Sequence, residues 1–108
     1  MSREVSDLIG DIREATERAL RHANGLSKDQ FEADDKTVDA VLRRLTVIGE
    51  AAKRIPESER FAYPEVPWRR ITGLRDRVVH DYLGTDLNIV WEVLQEHLPE
   101  LIHRLPET

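Results

Sequence analysis

A chain of 108 residues with 40% apolar and 34% charged residues suits one soluble domain spanning 1–108 with a single modest core, and leaves little room for a second. It has no cysteine, which excludes disulfides, thiolate nucleophiles and thiolate metal sites and fits a reducing compartment. The start is charged from Arg3 onward with no apolar leader, and no apolar run nears the ~20 residues that span a bilayer, so a cytoplasmic protein without a membrane segment is expected.

The net charge of −5 opposes a nucleic-acid role, because phosphate binding draws its affinity from Lys and Arg. Its distribution reopens that role. Residues 43–77 hold nine basic side chains and five acidic ones, so this segment carries +4 and the remainder −9. The chain is a basic middle between acidic ends. A solvated mixture of signs explains the same pattern equally well.

In chain order, Val5, Leu8, Ile9, Ile12, Ala15, Ala19 and Leu20 recur at three- and four-residue steps and predict an amphipathic helix over about 3–23, ended by Asn24-Gly25. Ser27 and Gln30 form a capping-box pattern for a short turn that buries Phe31. Asp34 or Asp35 caps a second long helix with the stripe Val38, Val41, Leu42, Leu45, Ile48, Ala52 and Ile55, stopped by Pro56. Its small residues, Gly49 and Ala51-Ala52, would let a neighbouring helix come close. Residues 56–67, with three prolines, read as a packed irregular connection. A third helix is expected from Trp68 to about Tyr82, broken by Gly84. A fourth starts at a cap on Thr85 or Asp86, carries Leu87, Val90, Trp91, Leu94, Leu98, Leu101, Ile102 and Leu105 on one face, and should kink or split at Pro99. No strand signature is visible. The expected fold is all-α, an antiparallel bundle of three to four long helices plus short helical segments.

Chemistry concentrates in Gly73-Leu74-Arg75-Asp76-Arg77-Val78-Val79-His80-Asp81-Tyr82. Histidine moves protons near neutral pH, and a guanidinium offers phosphate a planar fork of donors, so His80 and Arg75 could react together, although a capping or interface histidine with Arg75 and Arg77 as surface charges explains the same residues more simply. On a straight helix they would stand roughly 140° apart, and convergence requires the helix to loosen near His80 or a second subunit to complete the site. Asp76 and His80, four apart, would share a face and let the carboxylate orient the imidazole; Arg75 and Tyr82, seven apart, would also share one. Asp76 would in addition repel an incoming phosphate. Glu100 and His103 form a Glu-x-x-His pair, but no second pair accompanies it, so no metal site is expected. His22 and His97 read as surface residues, and Trp68 and Trp91 as core anchors rather than base-stacking platforms. No glycine-rich phosphate loop and no Gly-x-Ser-x-Gly elbow occurs.

Arg75, four residues, His80, one residue, Tyr82 matches the Arg-x4-His-x-Tyr motif of HepT toxins in the HEPN superfamily. The segments GEAAKRIP at 49–56, PEVPWRRITGLRDRVVHDY at 64–82, DLNIVWEVL and LPEL resemble that family in order and spacing across nearly the whole chain. The resemblance implies a helical homodimer with a composite cleft, and metal-independent endoribonuclease activity, without cofactor, centred on Arg75 and His80 with Asp76 in support. It also implies a type VII-like toxin–antitoxin pair, in which a minimal nucleotidyltransferase antitoxin adenylylates the motif tyrosine, here Tyr82. Family members often have Asn where this chain has Asp76. A non-catalytic helical dimer module that docks a nucleotidyltransferase is the alternative, favoured by the acidic total charge and Asp76.

Overall fold

The computed structural model describes residues 1–80 and 84–107, with Val79 and His80 described by their backbone alone. Helix α1 (Arg3–Ala23) starts where the Ser2 hydroxyl accepts the Val5 amide at 3.1 Å, and it buries Val5, Leu8, Ile9, Ile12, Ala15 and Ala19 on one face. The short α2 (Lys28–Glu32) has the expected capping box between Ser27 and Gln30, and its Phe31 is fully buried, 5.6 Å from the Trp91 ring centre. Helix α3 (Asp35–Arg54) begins at Asp34. The Thr37 hydroxyl and amide both donate to Asp34 and hold its carboxyl below the usual carboxylate range. That cap is charged at neutral pH, and its support for the helix is lost only as pH falls through the lowered value.

Helices α1 and α3 make the most extensive contact in the molecule. Asp11 lines one surface hollow with Glu50 and Arg54, whereas Glu14 and Ala15 line another with Arg44 and Val47, so the two helices run antiparallel. Pro56 ends α3 as expected, but the connection after it contains a short helix, α4 (Glu57–Phe61). Trp68 pins this connection by donating its indole N–H to the carbonyls of Arg60 and Tyr63, at 3.1 and 3.0 Å.

The single helix expected over Trp68–Tyr82 is not observed. Two short helices, α5 (Trp68–Thr72) and α6 (Leu74–Val78), meet at Gly73, and the backbone then becomes extended. Strand β1 (Val79–His80) pairs antiparallel with β2 (Gly84–Thr85), Val79 opposite Thr85 and His80 opposite Gly84. This ladder was not foreseen either. It forms because the two β-branched residues Val78 and Val79 lower helix preference, Gly84 can take φ 91°, and the Asp86 amide donates to the Val78 carbonyl at 3.0 Å.

The last helical column runs from α7 (Leu87–Glu92), capped by Asp86, through a π turn (Val93–His97) into α8 (Leu98–Arg104). Pro99 accounts for the π turn. It has no N–H, and in an α-helix its ring would meet the carbonyl of Gln95; a widened turn just ahead lets the Leu98 amide donate to Val93 instead. The expected kink is therefore expressed one turn before the proline. The fold is all-α apart from the two-residue ladder, and one apolar cluster runs through α1, α3, α5, α6 and the last column. No helix among the described residues is long and apolar enough to cross a membrane.

Gly49 is buried on α3, where a Cβ would stand 3.4 Å from the Ile71 carbonyl oxygen, 3.9 Å from that of Thr72 and 4.0 Å from the Arg75 nitrogen. Alanine fits this contact and gains about 1 kcal/mol of helix preference. A larger side chain must push the α5–α6 junction away. Gly49→Ala should unfold at the wild-type denaturant midpoint or above it, and Gly49→Leu should lose about 1–3 kcal/mol; equal stability of wild type and the leucine variant would show that the close approach does not constrain the fold.

Candidate functional site

Arg75 and Asp76 both belong to α6, whose buried residues Leu74 and Val78 face the core. That arrangement turns Arg75 outward, with 53% of its side chain exposed, and Asp76 with 72% exposed. Their charged groups are 4.0 Å apart, a marginal ion pair in water. Arg75 therefore keeps most of its donors for another partner. The Asp76 carboxylate lies beside it and lowers the positive potential there.

His80 is not on the helix. Because α6 ends at Val78, His80 lies in the extended backbone of β1, opposite Gly84. Both straight-helix relations are thereby removed: Asp76 and His80 are not one helical turn apart, and the 140° separation of Arg75 from His80 does not apply. The loosening that convergence requires is present. Tyr82, expected to share a helical face with Arg75, lies outside the described residues.

A second group of polar side chains was not anticipated. The Arg70 guanidinium lies 3.0 Å from His97 Nδ1, and His97 Nε2 lies 3.3 Å from a Glu92 carboxylate oxygen. Read as a surface residue from sequence, His97 has only 18% of its side chain exposed. A guanidinium can only donate, so Nδ1 accepts, and a neutral His97 then carries its proton on Nε2 and donates it to Glu92. Glu92 and His97 are five apart and would diverge on an α-helix; the π turn between them brings them together. The sequence signal was Pro99, which demands a disturbed turn where these residues sit.

These side chains open onto a groove of about 780 Å³, lined by Trp68, Arg69, Arg70, Arg77, Glu92 and His97 among others. Ligand atoms of Glu92, Glu96 and His97 lie within 4.8 Å of one another, the spacing of a metal site. The hydrogen bonds oppose that use. A metal at Nε2 would displace its proton onto Nδ1, where it would face the Arg70 donor. The Glu100–His103 pair makes no such group among the described residues, where Glu100 instead pairs with Arg104.

A family model described as ribonuclease HepT-like matches residues 12–107. The chain belongs to the HepT-like ribonuclease family. A protein named "Probable ribonuclease HepT" from Thermococcus cleftensis is 38% identical over 101 residues, covering 94% of this chain and 92% of the relative. A candidate RNase by name from Methanocaldococcus jannaschii is 36% identical over 105 residues, covering 97% and 87%. Another from Caldanaerobacter subterraneus subsp. tengcongensis is 34% identical over 96 residues, covering 89% and 86%. No solved structure matches the chain. Family membership rests on nearly the whole length of this chain, including α6 and the π turn, and not on the motif alone.

Zinc at low micromolar concentration should leave the melting temperature unchanged, as should a Glu92→Gln, Glu96→Gln double variant treated the same way. A zinc-dependent rise in wild type that the double variant lacks would overturn the tautomer assigned to His97 and make this group a metal site.

Proposed function

We propose that this HepT-like ribonuclease cleaves RNA without metal, through Arg75 and His80, in a homodimer. The observation that carries the proposal is α6 itself, which buries Leu74 and Val78, leaves Arg75 exposed and ends at Val78, two residues before His80. RNA contains its own nucleophile. The ribose 2′-oxygen attacks the adjacent phosphorus, its proton passes to a base, the bond to the 5′-oxygen breaks, and a proton goes to that leaving oxygen. His80 is the general acid or base for these transfers, and Arg75 meets the charge that grows on the non-bridging oxygens. Chemistry of this kind needs positioning and charge rather than a Lewis acid. Support comes from the family match, from the ribonuclease names of the relatives, and from the basic segment 43–77.

Control follows from the same stretch of chain. In this reading the protein is the toxin of a type VII-like pair, and a minimal nucleotidyltransferase adenylylates Tyr82. The added phosphate would compete with the substrate phosphate for the Arg75 guanidinium, with which it can form charge-assisted hydrogen bonds. Asp76 tempers the site in the active form, where its charge opposes RNA; it supports the alternative of a docking module.

Cleavage should persist in chelator and fall at least a hundredfold in Arg75→Ala and His80→Ala variants with unchanged circular dichroism, the scale expected for a lost acid–base group. Restoration of activity only by added divalent ion would refute the mechanism. Asp76→Asn should raise RNA affinity by up to roughly fivefold at low salt, as about 1 kcal/mol of repulsion at 4 Å in water implies; weaker binding would show that the carboxylate is needed. Tyr82→Phe should stay active and gain no nucleotide mass with a cognate nucleotidyltransferase and ATP. If it is modified and silenced like wild type, Tyr82 is not the control point.

A further inference from the structure

Phe61 is the large apolar side chain most exposed to solvent among the described residues, at 78%, well away from the chain start. It lies at the end of α4, in a connection fixed from two sides. The Arg60 Nε donates to the Ile55 carbonyl at 2.9 Å, tying α4 to the end of α3, and the Trp68 indole donates to the carbonyls on either side of Phe61, those of Arg60 and Tyr63. A ring held out on an anchored backbone costs little ordering entropy when something stacks on it.

Phe61 borders a hollow of about 370 Å³ that it shares with Arg60, Pro64, Trp68 and Arg69. Trp68 and Arg69 also line the groove of about 780 Å³ that holds Arg70, Arg77 and His97, so the two openings adjoin. Four arginines line the combined surface against two glutamates, Glu57 and Glu92. Of these, Glu92 is engaged by His97, which also accepts from one nitrogen of Arg70 and so fixes the direction of its guanidinium, leaving the other donors for an anion. An aromatic face next to oriented arginines is the combination that takes up single-stranded nucleic acid, where bases stack and phosphates pair.

We propose that this surface is a binding site for single-stranded RNA outside the Arg75–His80 motif, with Phe61 stacking on a base and Arg69 and Arg70 contacting phosphates. His97 and Glu92 are positioning residues for Arg70. The charge of the surface favours RNA over an apolar protein segment, which would leave the arginines unpaired. Arg77 lies on α6 two residues beyond Arg75, so a strand leaving the groove reaches the helix that carries the motif. The inference rests on the ribonuclease reading for its biological sense, but binding can be measured without cleavage.

The test is fluorescence anisotropy with a labelled 2′-O-methyl oligouridine of about ten nucleotides, within the span of known single-strand sites, in which no free 2′-hydroxyl can attack. Phe61→Ala should weaken binding by roughly five- to a hundredfold, and Phe61→Tyr should restore it. Phe61→Leu keeps an apolar side chain without a ring face and should bind like the alanine variant. Arg69→Gln and Arg70→Gln should each lower the slope of log affinity against log salt by about 0.7. His97→Ala should weaken binding with an unchanged slope, and His97→Gln, which keeps an acceptor for Arg70, should recover part of it. Wild-type binding with these losses, and no cleavage of unmodified RNA, would sustain this site while removing the catalytic reading. Absent wild-type binding, or binding unaltered in the Phe61 and arginine variants, would overturn it, as would a Phe61→Ala change confined to the oligomeric state by light scattering.

Discussion

The close approach of two backbones at Gly49 is the constraint on which the site depends. Helix α3 packs against both α1 and the α5–α6 junction, and at Gly49 a Cβ would already touch the carbonyls of Ile71 and Thr72 and approach the amide of Arg75, so no side chain larger than alanine fits without moving the junction. Arg75 is thus placed by its own main chain, which leaves its side chain unburdened by packing and exposed. Leu74 and Val78, both buried, hold α6 in the core. A site built in this way can change its charged groups without disturbing the core.

A second constraint acts in the last helical column. Pro99 cannot continue an α-helix undisturbed, and the widened turn before it brings Glu92 beside His97 and His97 beside Arg70. Both the α6 terminus and the π turn are departures from regular helix, and the π turn brings together polar groups that a regular helix would separate. Trp68, which anchors the connection that presents Phe61, lines the groove together with Arg77 and His97. Of the basic middle of the sequence, Arg60, Arg69, Arg70 and Arg77 gather on this surface, whereas Arg43, Arg44 and Arg54 line hollows beside α1 with Asp11, Glu14 and Glu50.

Much of the scaffold is legible in the sequence because burial imposes a period. The stripes of α1 and α3, the capping box at Ser27, the cap at Asp34, the stop at Pro56 and the small residues at Gly49 all express local rules that tertiary contacts reinforce. The region 68–85 is not legible in that way. Trp68, Ile71, Leu74 and Val78 keep a helical period through a break at Gly73, so periodicity cannot reveal the break, and the ladder of Val79–His80 with Gly84–Thr85 is too short to show alternation. His97 escaped notice because its partners, five residues back and on another helix, become neighbours only through the π turn. Phe61 escaped because an apolar residue in an irregular connection reads as an anchor, whereas here Trp68 is the anchor. For the candidate site, it is the family motif that singles out Arg75 and His80, and the one-turn relation of Asp76 to His80 fails because α6 ends at Val78.

In the proposed reaction an exposed arginine and a histidine beyond the helix end act on a substrate that brings its own nucleophile. The central claim is that the 2′-oxygen of RNA, and not water, attacks the phosphorus. Mass spectrometry of the cleavage products formed in chelator reads this directly. The account predicts 2′,3′-cyclic phosphate and 5′-hydroxyl ends, with no cleavage where the attacking ribose is replaced by 2′-deoxyribose. Products with 5′-phosphate and 3′-hydroxyl ends, or undiminished cleavage at the 2′-deoxy position, would contradict it.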